Sequence, residues 1–118
     1  MKYMLLIYGD EQAVDEALRE QCYREAEQAA QRLDAAGQYI DAAPLCPTST
    51  AASVRVRDGK RLVTDGPFAE TREQLGGYFL IDAHNQEEAI AIAAQLPMAR
   101  VSVIEIRPII ELPGLPKK

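Results

Sequence analysis

Apolar positions along the chain change rhythm several times. Residues 3–8, YMLLIY, are apolar without a break, the pattern of a strand covered on both faces. Over 11–36 the apolar positions Val14, Leu18, Cys22, Ala26, Ala29, Leu33 and Ala36 step by three or four. That spacing predicts one long helix with an apolar stripe and a face of Glu, Gln and Arg, with residues 9–13 an alternative loop at its start. Gly37 fits the position just past its end, where a left-handed backbone is usual. Residues 38–45, QYIDAAPL, predict a second strand, and CPTSTAAS a connection. Val54 and Val56 then alternate with Arg55 and Arg57 ahead of Asp58-Gly59, which predicts a tight hairpin of strands 53–57 and 61–65 with Arg55 and Arg57 towards solvent.

Alternation returns at 77–83, with Phe79 and Ile81 on one face and Tyr78, Leu80 and Asp82 on the other. Asn85, followed three residues later by Glu88, marks the start of a second helix with Ala89, Ile92, Ala93 and Leu96 inward, and Pro97 stops it. Residues 101–107, VSVIEIR, predict the last strand, and 109–118 an extended Pro-rich tail. The expected fold is therefore α+β: a ferredoxin-like βαββαβ sandwich with an inserted β-hairpin, in one domain spanning 1–118. Two helices cover one sheet face, yet three of the strands are apolar on both. The second face predicts a homodimer with sheets packed face to face.

Charge narrows the partners. A net charge of −5 and no run of more than two adjacent basic residues argue against nucleic acid and against an acidic membrane surface. The apolar run at the start is too short for a signal-peptide core or a membrane span. Cys22 and Cys46 form no C-x-x-C pair, and with one histidine a structural zinc site lacks ligands, so the expectation is a cytoplasmic protein with free thiols, no metal and no cofactor.

The stretch TDGPFAETREQLGGY, 64–78, carries the candidate chemistry. Asp65 either closes the turn at Gly66-Pro67 by accepting backbone N–H groups or acts as a pocket-facing acid or base. Phe68 is expected to anchor the loop in the core, with a ligand-stacking role as the alternative. Thr71 and Gln74 have capping-box spacing, so TREQ predicts one helical turn. Glu70, Arg72 and Glu73 are either a solvated charge cluster or, through Arg72, a hold on an anionic substrate. Gly76-Gly77 permits an unusual backbone or the close approach of another group, such as the partner chain in a dimer. Tyr8, Tyr78, Asp82, Glu105 and Arg107 would form a polar site if their strand faces coincide, structural pairing being the plainer reading. His84 is expected on the surface, with proton transfer its alternative role. Cys22 is expected in the core, and Cys46 lacks a basic neighbour that would activate it.

The segments MKYMLLIYGDE, VRVRDGKRLVTDGPFAETREQLGGYFLIDA and VIEIRPI resemble the YCII-related family, and more narrowly its DGPF branch through Asp65, Gly66, Pro67 and Phe68. The resemblance implies a dimeric α+β barrel with a ferredoxin-like subunit. Better-known relatives pair a histidine near the first helix with an aspartate. This chain has its one histidine at 84, so that pair does not carry over. Association of some members with extracytoplasmic-function sigma factors implies a regulatory setting. Two functions follow as expectations. One is a small cofactor-independent enzyme using acid/base chemistry on a small polar metabolite, with Asp65 catalytic and Glu70, Arg72, Tyr78 and Arg107 binding substrate. The other is a non-catalytic small-molecule-binding or regulatory module.

Overall fold

The structure is a computed structural model, and it describes residues 1–117; Lys118, the end of the expected tail, lies outside the described residues. Six strands and two α-helices follow the expected order: β1 (Lys2–Gly9), α1 (Glu16–Ala35), β2 (Tyr39–Pro44), β3 (Ala52–Arg57), β4 (Lys60–Asp65), β5 (Gln74–Asp82), α2 (Gln86–Gln95) and β6 (Val103–Pro108). Short 3-10 turns at Glu11–Ala13, Thr48–Thr50 and Pro97–Arg100 join them. The main sheet has the order β2-β5-β1-β6 with every pairing antiparallel, while β3 and β4 form a sheet of their own. This α+β arrangement, with both helices on one side of the larger sheet, is consistent with a ferredoxin-like fold.

The core lies between the helices and one face of that sheet. Tyr3 and Leu5 of β1, Phe79 and Ile81 of β5, Ala29 of α1, and Ala89, Ile92 and Ala93 of α2 are all buried. Ile7, Ile104 and Ile106 pack against this cluster, so the inward faces of β1, β5 and β6 agree with the alternation in the sequence. Each core aliphatic of this size stabilises the fold by roughly 1.5–3 kcal/mol relative to exposure.

Local signals set the helix ends. Asn85 Oδ1 accepts from Glu88 N at 2.9 Å and starts α2. At the end of α1, Gly37 takes φ +74, and Gly37 N and Gln38 N donate to Asp34 O and Leu33 O, the paired bonds of a left-handed helix stop. The start of α1 differs from the expected residue 11. Asp15 Oδ1 accepts from Leu18 N at 2.8 Å and caps the helix there, while Glu11–Ala13 forms a separate 3-10 turn capped by Asp10. Two nearby side chains compete to be the cap, and the later one begins the helix.

Two expectations in 68–74 are corrected. Phe68 is 90% exposed and anchors nothing in the core. Thr71–Gln74 forms no helical turn: Thr71 Oγ1 donates to Glu73 O, Gln74 Nε2 donates to Thr71 O, and Gln74 already begins β5. Arg55 and Arg57 face solvent as expected, and Val54 and Val56 are exposed as well, so neither face of the hairpin is buried. Asp58 and Gly59, with φ 53 and 73, do form the expected tight turn.

Candidate functional site

A broad concavity lies where a packed core was expected. A cleft of about 640 Å³ separates the first half of α1 from the sheet, within the size range of small-molecule sites. Leu18, Cys22, Ala26 and Ala30 of α1 form one wall. Ala42 and Pro44 of β2, Gly76, Gly77 and Phe79 of β5, and Ile7 of β1 form the other. The apolar stripe of α1 is thus real, but Leu18 and Cys22 border the cleft, Ala26, Ala30 and Leu33 are only partly buried against the core, and Ala29 alone within the helix is buried.

Small residues explain the space. Gly77 lies opposite Ile7 and Pro44, on the inward side shared with Phe79. A Cβ there would sit 2.9 Å from Ala43 O and 3.2 Å from Pro44 Cα, so β2 closes on β5 only because position 77 has no side chain. The segment that approaches the glycine pair is therefore the chain's own β2. Gly76 is the extra residue of a β-bulge, since Ile7 pairs with Gly77 and Tyr8 with Leu75. Opposite these glycines no side chain fills the gap beneath Cys22 and Ala26.

Polar groups edge the cleft, and several are already engaged. Glu11 accepts from Thr48 N at 2.9 Å and from Thr48 Oγ1 at 2.8 Å. Gln74 Oε1 accepts from Glu11 N at 3.0 Å, and Asp10 Oδ1 accepts from Gln12 N at 2.9 Å. Arg19, Tyr23, Glu27, Tyr39, Tyr78 and Ser102 complete the polar part of the lining, and Arg19 and Glu27 make no ion pair among the described residues. Burial, and then the Glu25 carboxylate, raise the Cys22 thiol above its ordinary value, which disfavours a thiolate in the cleft. Among the described residues no group of three or more His, Cys, Asp or Glu side chains could hold a metal ion.

The residues singled out in the sequence are spread more widely. Asp65 ends β4 opposite Ala52, exposed, and its carboxylate accepts none of the backbone hydrogen bonds expected of a turn residue; the turn is held instead by Gly66 N donating to Ala51 O and Ser53 Oγ donating to Gly66 O. Gly66 has φ 97, a conformation that favours glycine. Glu70 and Arg72 are exposed in the loop before β5 and form no ion pair among the described residues. Tyr78, Asp82, Glu105 and Arg107 do share the sheet face turned away from the helices: one row runs Asp41, Leu80, Met4, Arg107, and the next runs Ala43, Tyr78, Leu6, Glu105. Aliphatic residues of β1 lie between, which puts Tyr78 and Glu105 two strands, roughly 10 Å, apart. Tyr78 Oη donates to Asp41 Oδ2 at 2.8 Å, and this bond, with lesser help from desolvation, raises the phenol above its ordinary value. His84 is exposed and pairs with Glu88 at 2.8 Å.

The sequence reading passed over Arg19, Tyr23, Tyr39 and Ala42. The available signal was compositional: Ala42-Ala43 and Gly76-Gly77 are runs of small residues in two strands that turn out to be neighbours.

A model of the YCII-related domain matches residues 1–113. An uncharacterised protein of Rhizobium meliloti (strain 1021) is 37% identical over 114 residues, covering 92% of this chain and 92% of that relative. The chain belongs to the YCII-related family. No helix among the described residues is long and apolar enough to cross a membrane.

Proposed function

From its place in the YCII-related family, as a member of the DGPF branch by the motif Asp65–Phe68, we propose that the protein is a non-catalytic module that binds an apolar small molecule between α1 and the sheet. The carrying observation is the cleft itself: a mainly apolar concavity in which the carboxylates of Asp10 and Glu11 are engaged by backbone and hydroxyl donors, and Glu27 is a single carboxylate with no acid/base partner beside it among the described residues. Acid/base catalysis at Asp65 finds less support, because neither Arg72 nor Arg107 pairs with it and it lies outside the cleft wall. The working unit in this reading is a homodimer of the α+β-barrel type, in which the faces carrying Met4, Leu6 and Leu80 pack against each other.

A thermal-shift screen of apolar acids, amides and alcohols tests the binding reading. A ligand at 100 times its Kd stabilises the native state by about 2.7 kcal/mol. The expected result is a raised midpoint for the wild type and for Asp65→Ala, and none for Ala26→Phe, which fills the cleft. A ligand whose effect disappears in Asp65→Ala but survives in Ala26→Phe would move the site to the motif loop.

A further inference from the structure

The β3–β4 hairpin is an arm. It shares no strand pairing with the main sheet. The radius of gyration of the chain is 16.1 Å, against roughly 13.5 Å for a compact chain of this length. The ladder register puts Val54 and Val63 opposite each other, with Val56 and its partner Arg61 on the same face. These three are 67%, 59% and 70% exposed, and Phe68 stands exposed just beyond the end of β4. A lone two-stranded hairpin is at best marginally stable in water, and it gains independent stability when an apolar face is covered. Three exposed valines on one face of such a hairpin, followed by an exposed phenylalanine, describe a surface shaped for contact.

Charge says what covers it. Residues 52–65 contain four basic side chains, Arg55, Arg57, Lys60 and Arg61, against the acids Asp58 and Asp65, a net of +2. The whole chain carries −5, so the remainder carries −7. A cationic arm standing off an anionic body meets its electrostatic complement on another copy of the same chain. Nucleic acid would meet the arm favourably and the body unfavourably, and it offers nothing to the valines. We propose that the arm is an interaction surface that clasps a second copy of this chain, with Val54, Val56 and Val63 against apolar surface of the partner and the basic residues at the tip beside its acids. In a two-fold dimer each copy both gives and receives an arm. The proposal rests on the dimeric reading above, and it adds a contact that face-to-face packing of the sheets does not require.

Sedimentation equilibrium of the full chain tests it, with circular dichroism as the folding control. Three variants are compared with wild type: Val54→Glu/Val56→Glu on the arm face, Arg57→Glu/Lys60→Glu at the arm tip on the opposite face, and Leu80→Glu on the open sheet face. Both arm variants are expected to keep the native spectrum and to raise the dimer Kd by about 30-fold or more, the size of a central interface residue. Added salt should weaken the wild-type dimer and have less effect on the arm-tip variant. If the valine variant loses its native spectrum, the arm-tip variant, which leaves the apolar face intact, decides the matter. A wild type that is monomeric throughout overturns both the dimer and the clasp. Dissociation by Leu80→Glu with wild-type dimerisation in both arm variants overturns the clasp alone and leaves sheet packing standing. Dissociation by the arm variants but not by Leu80→Glu retains the clasp and removes the face-to-face arrangement.

Discussion

The two helices lie on the same side of one sheet and meet it differently. The inward stripe of α2, Ala89, Ile92 and Ala93, is buried with Leu5, Ile81 and Leu96 in the core. The stripe of α1 shows Leu18, Cys22 and Ala26 to a cleft, and only Ala29 near its far end is buried. Both stripes have helical period. The difference comes from the residues opposite: large side chains under α2, and Gly76, Gly77 and Ala42 under the first half of α1. A helix face tells which side turns inward. The strand beneath it decides whether that side becomes core or site.

The strongest way to break this comparison is to truncate one residue from each region. Ile81→Ala should cost about 2–5 kcal/mol in urea unfolding, since it empties a fully buried position. Leu18→Ala should cost less than about 1 kcal/mol, because Leu18 is partly exposed and borders existing space. Equal losses would mean that α1 packs as tightly as α2. A chemical comparison sharpens the same point. Cys46 is exposed, whereas Cys22 lines the cleft with a raised thiol pKa, so iodoacetamide should modify Cys22 on the order of tenfold more slowly. Peptide mass spectrometry with time would show it, and a ligand in the cleft should slow Cys22 further while leaving Cys46 unchanged.

Strand alternation, the Asn85 cap, the Gly37 helix stop and the Asp58-Gly59 turn were legible because each depends on a few neighbouring residues. The fold followed from their order. The cleft was not legible, because the emptiness beneath Cys22 depends on β2 and β5, which lie far from α1 in sequence and become neighbours only in the sheet. Phe68 misled for a related reason: an aromatic side chain reports its own affinity for apolar surroundings, not whether its loop turns towards the core or away from it. Among the candidate residues, alternation paired Tyr78 with Asp82 and Glu105 with Arg107; only the strand register shows that the two pairs share a face, with β1 threading between them.

The smallest expected effect concerns the start of α2. The hydrogen bond from His84, and next its nearby charge, lower the Glu88 pKa below its ordinary value of 4.5. A carboxylate with a depressed folded pKa stabilises the fold above its unfolded pKa, and that contribution is lost as pH falls through the folded value. Wild type should therefore be slightly more stable than Glu88→Gln at neutral pH, and the gap should close on acidification below 4.5. Paired thermal melts across that range check it; a gap that does not change with pH would mean that Glu88 acts through its bond with Gln38 alone.

One small feature has a consequence in time. Glu11 joins Thr48, 37 residues away, and Gln74, 63 residues away, so one side chain and its own amide hold the entry to α1, the approach to the arm and its return at one point. Closing loops of that length costs chain entropy before any contact repays it. Local helices and the Asp58-Gly59 turn can form early, whereas this junction waits until β1, β2 and β5 are side by side. The arm therefore folds on its own schedule and is fastened in place last.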